Sequence, residues 1–229
     1  MAASTRTFED VKKSVLSCHS DSSAEEKATF YNSWARNYEQ DVAVLEFRAP
    51  SQAGDMVSSH FPGDREAAVV LDVACGTGLV AKQMKKHGFA RFFGTDGSTG
   101  MLELAKETGL YQDLSQCMLG KESLPVKWGQ FDVVVICGAL SVGQVPVRVV
   151  RELCRATKPG GYICMTVRSN QSNLEYKAAL DSELRQMEEE GLWERVKVTE
   201  VENWERGVSA QEEGYISGCV YLYRSLPPV

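Results

Sequence analysis

The chain has 229 residues, 43% of them hydrophobic and 24% charged, with a formal net charge of −6. A chain of this length buries roughly 70–75% of its unfolded surface without disulfide or metal staples, and none of its apolar runs approaches the ~18 residues of a membrane span. The acidic balance disfavours tight, sequence-independent binding to nucleic acid, which needs a basic surface.

The opening run "MAASTRTFED" has no apolar core of the signal-peptide kind, and its early acids speak against a mitochondrial presequence. Phe8, Val11, Val15 and Leu16 recur at helical spacing and predict a short helix. The polar stretch 17–27 predicts a loop. Ser23 with Glu26 three residues on is a capping-box pattern, and it opens a helix on which Phe30, Trp34 and Tyr38 share one face with Tyr31 beside them. Pro50 opens a third helix reaching about His60, and "FPGDRE" at 61–66 is a turn-rich link. Residues 1–65 therefore read as a helical cover and residues 66–229 as the domain beneath it.

From residue 68 the pattern alternates. "AAVVLDV" is a continuous β-branched apolar run, as in a strand buried on both faces. Leu79, Val80 and Met84 then follow at helical spacing. "ARFFGTD" predicts a second strand, and Met101, Leu104, Ala105 and Thr108 mark one side of the next helix. "DLSQCML" (113–119) is a third strand and "FDVVVIC" a fourth. Pro146 opens a helix with Val149, Val150, Leu153 and Cys154 on its apolar side, "GGYICMTV" is a fifth strand, and Tyr176, Leu180, Leu184 and Met187 define a long helix. Such alternation implies an α/β fold, a mainly parallel sheet with helices on both faces. "RVKVTEVENW" and "YISGCVYLYR" have no helix between them, so the sheet closes on an antiparallel hairpin.

Seven cysteines occur without any Cys-x-x-Cys or Cys/His ligand spacing, and Cys75, Cys137 and Cys164 sit inside apolar runs. They read as reduced, buried thiols of a cytosolic, or nuclear, monomeric protein, with no metal. His19, His60 and His87 are scattered and carry no catalytic pattern.

The loop "ACGTGLVA" holds Gly76-x-Gly78-x-x-Ala81, which alone matches a dinucleotide fingerprint. Asp96 closes the second strand twenty residues after Gly76, where a carboxylate can accept both hydroxyls of a ribose. Asp72 separates the candidate cofactors. A carboxylate at the strand end repels a pyrophosphate at short range and attracts the sulfonium and ammonium groups of S-adenosyl-L-methionine. The lesser reading of Asp72 is a helix-capping or turn aspartate. A nicotinamide-dependent oxidoreductase and a regulatory protein that binds S-adenosylmethionine without catalysis stand as alternatives.

Together "YNSWARNYEQDV", "LDVACGTGLVA", "GTDGSTGMLELAK", "FDVVVICGAL" and "TKPGGYICMTV" resemble, in order and over nearly the whole chain, a class I S-adenosylmethionine-dependent methyltransferase. The resemblance implies a Rossmann-like, doubly wound, seven-stranded sheet, with S-adenosyl-L-methionine as methyl donor and S-adenosylhomocysteine as product. It implies that Asp72, Ala74 and Gly76 meet the methionine end, with Thr77 and Gly78 shaping the loop. Asp96 would hold the ribose, and Gly97, Ser98 and Met101 would lie near the sugar or adenine. Where many relatives carry an acid near the adenine amino group this chain has "CMLG", so backbone groups of Cys117, Met118 and Leu119 and packing by Met118 are expected instead. Cys137 and Gly138 would floor the pocket, and Tyr31 and Tyr38 would reach it from the cover.

Methyl transfer needs the acceptor held in line, which is worth roughly 7–11 kcal/mol, and a base only where the acceptor's acidity demands it. No base stands out. The Asn/Asp-Pro-Pro-aromatic segment of nitrogen-directed relatives is replaced by "CGALSVGQVP", and no Pro-Cys nucleophile occurs. Leu140, Ser141 and Gln144 after the fourth strand, and Arg168 and Asn170 after the fifth, sit at the carboxyl edge where open sheets bind ligands. They are the candidate acceptor contacts. Glu200, Glu202, Glu205, Glu212 and Glu213 read as a solvated acidic cluster. The expected acceptor is a small molecule, with a protein side chain as the second choice and neither membrane nor nucleic acid as partner.

Overall fold

In the computed structural model, which describes residues 6–18, 22–209 and 212–227, seven strands form one sheet. They are β1 (Val69–Val73), β2 (Arg91–Asp96), β3 (Tyr111–Gln116), β4 (Phe131–Leu140), β5 (Thr157–Arg168), β6 (Trp193–Arg206) and β7 (Tyr215–Ser225). Their order is β3-β2-β1-β4-β5-β7-β6. The first five are parallel, whereas β7 runs antiparallel to both β5 and β6. The winding reverses between β1 and β4, which opens a crevice at their carboxyl ends.

Strand residues serve the two faces alternately, as the two-residue period requires. Leu71, Val73, Val134 and Ile136 join the core under α6 (Val149–Ala156) and α7 (Leu174–Glu189). Val70, Val133 and Val135 join the opposite core, with α3 (Ala49–His60) and α4 (Leu79–Lys86). Thus α3 belongs to the sheet's own core, although it lies in the segment 1–65. The other two helices of that segment, α1 (Phe8–Cys18) and α2 (Ala24–Val44), make a separate cluster around Val11, Val15, Trp34 and Leu45.

The 17–27 stretch is less of a loop than its polarity suggests. Helix α1 runs through Cys18 and α2 begins at Ala24; residues 19–21, with His19, lie outside the described residues. The Ser23–Glu26 capping box forms and fixes that start. Strand β3 begins at Tyr111 and stops at Gln116, earlier than 113–119. The chain turns after Cys117 because Met118 donates its N–H to Glu122 Oε2 and its carbonyl accepts from the Lys121 and Glu122 amides.

Candidate active site

The loop after β1 turns tightly. Ala74, Gly76 and Gly78 have φ of 54°, 55° and 92°. The left-handed region strains any residue with a Cβ. At Gly76 no neighbouring atom would obstruct a Cβ, so it is the backbone angle that favours glycine there. Cys75 N–H donates to the Thr95 carbonyl (2.9 Å) and Gly78 N–H to the Cys75 carbonyl (2.9 Å), tying the loop to β2 and into α4.

Asp96 is the hub. Its Oδ2 accepts from Gly76 N–H and its Oδ1 from Ser98 N–H, both at 2.8 Å. It therefore has partners within the chain before any ligand binds. Desolvation pushes its carboxyl above the usual range, while the amides of Ser98, Gly76 and Gly97 pull the other way. A carboxylate offers about four lone-pair sites, so capacity is left for ligand hydroxyls.

These groups border a cavity of about 150 Å³ that opens to solvent. Ala74 and Gly76 line it from the first loop, and Asp96, Gly97, Ser98 and Met101 from the second. Cys117, Met118 and Leu119 close the apolar side, with the Met118 sulfur against Gly97. Cys137 and Gly138 form the floor, and Gln144 the far rim. Tyr31 and Tyr38 descend from α2. Burial pushes the Cys137 thiol up to about 12 and the Tyr38 phenol well above its ordinary value. The Met118 amide and carbonyl, already used by the turn, leave that residue to contribute packing rather than backbone bonds.

Several expected contacts lie elsewhere. Asp72 does not line the cavity: the Tyr111 hydroxyl donates to its Oδ2 at 2.7 Å, and it is 1% exposed. Burial pushes it up to about 7 against the Tyr111 hydrogen bond, and the Ala81 amide in the first turn of α4 favours its ionised form. From behind the loop it ties β1 to β3. Thr77 is buried off the cavity wall, and Gly78 is the N-cap of α4, pressed by the Tyr111 ring. Leu140 is 1% exposed and packs in the α6/α7 core.

Ser141, Arg168 and Asn170 line a second cavity of about 240 Å³ further along the same sheet edge. A smaller chamber lies between them, sharing Tyr31, Tyr38 and Gly138 with the first and Arg168 and Glu205 with the second. Arg168 Nε lies 2.8 Å from Glu205 Oε1.

Sequence reasoning missed four contributors. Ala24, Lys27 and Ala28 roof the first cavity, and Lys27 Nζ donates to the Gly143 carbonyl. Asn32 Oδ1 accepts from Gly100 N–H (2.9 Å) and the Ser98 hydroxyl (2.7 Å), capping α5 (Thr99–Glu107) from a different helix. Such a cross-helix cap leaves no local sequence signal.

Among the described residues, the only basic one on the first cavity's wall is Lys27, and Asp96 lines the same wall. That surface suits a ribose-bearing, cationic ligand better than a pyrophosphate. A family model described as "Methyltransferase domain" matches residues 71–165. The chain belongs to the class I S-adenosylmethionine-dependent methyltransferases. Within that class it is 50% identical over 185 residues to methyltransferase-like protein 27 of Homo sapiens, covering 81% of this chain and 75% of that one. It is 38% identical over 121 residues to demethylmenaquinone methyltransferase of Symbiobacterium thermophilum, covering 48% of this chain and 45% of the relative. Among solved structures, a Haloferax volcanii complex of the Trm112 methyltransferase activator with a methyltransferase superposes with a TM-score of 0.66 at 15% identity, over 87% of this chain and 97% of that one. The protein is an S-adenosyl-L-methionine-dependent methyltransferase, which sets aside the oxidoreductase and the non-catalytic alternatives. No described helix is long and apolar enough to cross a membrane.

Proposed function

We propose that the enzyme methylates a small molecule in the cytosol, acting as a monomer, with residues 1–65 as cover and 66–229 as catalytic domain. Asp96 holds the ribose hydroxyls, and Met101 and Met118 pack the adenine. Ala74, Gly76 and the strand end at Cys137–Gly138 flank the methionine portion. S-adenosyl-L-methionine supplies an electrophilic methyl group; the chain's part is to hold the acceptor in line with it and keep water out, for which Tyr31 and Tyr38 form the roof.

The observation that carries this reading is a shared wall: Tyr31, Tyr38 and Gly138 line both the cofactor cavity and a chamber under α2. A chamber walled by Tyr31, Trp34 and Tyr38 of α2 suits a small acceptor better than a protein surface. The test is to incubate the pure protein with methyl-labelled donor and an extract divided into small-molecule and protein fractions. Label in the small-molecule fraction is expected. Label confined to the protein fraction overturns the acceptor class.

A further inference from the structure

One side chain in the chamber is chemically conspicuous. Glu205, in the acidic cluster that reads as solvated, is 4% exposed. The cause is a break in strand register. Between Val201 and Glu205 the pairing of β6 with β7 shifts, from Val201 opposite Gly218 to Glu205 opposite Ile216. Asn203 takes up the extra length at φ 52°. A bulge re-aims side chains, and here two consecutive residues, Trp204 and Glu205, both turn inward. Trp204 lies flat over Gly218, where a Cβ would stand 2.2 Å from the ring. Beyond the bulge β6 stays paired with β7 and also bonds to the link between α2 and α3: Arg48 N–H donates to the Trp204 carbonyl (3.0 Å) and Arg206 N–H to the Leu45 carbonyl (2.8 Å). Glu205 is thereby fixed beneath the cover, lining both the smaller chamber and the second cavity.

Its Oε1 is fully enclosed, and the Arg168 contact at 2.8 Å lacks the alignment of a hydrogen bond. A carboxylate this deep is costly unless paired, and a buried, ion-paired glutamate on a cavity wall is a functional-site candidate. Tyr31, Trp34, Tyr38 and Phe47 give the chamber aromatic walls, which favour an aromatic guest through ring stacking. Arg168 beside Glu205 disfavours a second cation and favours an oxygen on which negative charge develops.

We infer that Glu205 is the general base for a small aromatic acceptor bearing a hydroxyl group, bound in the chamber between Tyr38 and Arg168. The inference rests on the cofactor reading above. Glu205 takes the hydroxyl proton while an oxygen lone pair forms the bond to the methyl carbon; the electrons of the breaking carbon–sulfur bond leave with sulfur. The products are a methyl ether, S-adenosylhomocysteine and a protonated Glu205, which returns its proton to solvent. Burial holds Glu205 above the usual carboxylate range, making it a stronger base than an exposed glutamate, with Arg168 opposing and Glu212 adding to the shift. Tyr38 and Cys137 also face it, and both titrate far higher.

The test uses the full chain, S-adenosylhomocysteine, labelled donor and three probes sharing one ring system: 2-naphthol, 2-naphthylmethylamine and naphthalene. Calorimetry should show S-adenosylhomocysteine binding equally to the parent, to Glu205→Gln and to the Arg168→Gln/Glu205→Gln pair. The pair keeps the chamber neutral should the single variant fail to fold. In the complex, 2-naphthol should bind more tightly than naphthalene. Its methylation should rise with pH through one ionisation in the parent. Loss of Glu205 should lower that rate by about 10²–10⁴-fold and remove the ionisation. A variant that keeps the parent's rate and pH profile overturns the inference, as does a parent profile without an ionisation. Transfer to the amine alone, or neither binding nor methylation of 2-naphthol while S-adenosylhomocysteine binds, overturns it too. If S-adenosylhomocysteine does not bind, it is the cofactor reading that fails.

Discussion

The two chambers that meet at Tyr38 and Gly138 are built in opposite ways. The cofactor cavity takes most of its wall from short runs of chain at the ends of neighbouring strands: 74–76, 96–101, 117–119 and 137–139. Each run is placed by the strand that precedes it. The acceptor-side chamber takes single residues from distant places: Val15 on α1, Trp34 and Val42 on α2, Phe47 in a link, Arg168 on β5 and Glu205 on β6. One is a local construction on a rigid sheet, the other an agreement between a helical cover and an edge strand. Damage to the cover should therefore reach the second chamber first and leave the first largely intact.

The largest effect should come from Trp34→Ala. Its ring packs on Phe30, Tyr31 and Tyr38, and its indole N–H donates to Asp41 at 2.6 Å. Removing a buried tryptophan costs about 3–5 kcal/mol. Native-state hydrogen exchange should show that loss across α2 while β1 and β4 stay protected. Uniform loss over the whole sheet would mean that the two constructions fold as one.

Next comes Asp72, which stabilises the sheet-built wall from behind. Its folded value of about 7 lies above the ordinary 3.8, so the native state holds the proton more tightly. Stability from this group is complete below the ordinary value and is lost as pH rises through about 7. Asp72→Asn should match the parent in acid and exceed it above neutrality, by on the order of a few kcal/mol. Urea unfolding at a series of pH values gives the comparison; parallel curves would remove Asp72 from the account.

Asp96→Asn should weaken S-adenosylhomocysteine binding ten- to a hundred-fold, about 1.4–2.8 kcal/mol. It should also lower the ligand-free melting temperature, because the Gly76 and Ser98 amides lose a charged acceptor. Calorimetric titration and melting of the same variant separate the two losses. Binding at parental affinity would place the ribose contact elsewhere.

The smallest effect is expected from Asn32→Ala, which removes one cap bond from α5. Loss of a cap costs about 1 kcal/mol. Melting should register it, and hydrogen exchange should locate it at 98–101 and at α2 together. An effect confined to one side would break the proposed joint between cover and sheet.

What the sequence disclosed follows the same division. Strand–helix alternation, the closing hairpin, the Ser23–Glu26 box and the Gly76 loop are local patterns, and each is present. Asp72 was legible as important but not in its partner: nothing local says that Tyr111, on β3, will reach across to it. Glu205 was hidden for a sharper reason. Strict alternation along "VENWER" sends Trp204 and Glu205 to opposite faces, so a buried tryptophan implies a solvated glutamate. Only the bulge at Asn203 makes both inward, and a bulge depends on the partner strand. Arg168, placed at the correct edge from its position after β5, has a partner that no spacing rule could supply.

The single oxygen of Asn32 has one more consequence. It receives Gly100 N–H and the Ser98 hydroxyl, and Ser98 N–H in turn binds Asp96. Seating of α2 and the shape of the 96–101 turn are therefore linked variables, with a shared free energy. Whatever factor the donor gains from a seated cover, the cover gains from a bound donor, because such coupling is reciprocal. Product release and cover opening then share one thermodynamic cycle, and a cover variant would alter how long S-adenosylhomocysteine stays bound without touching it.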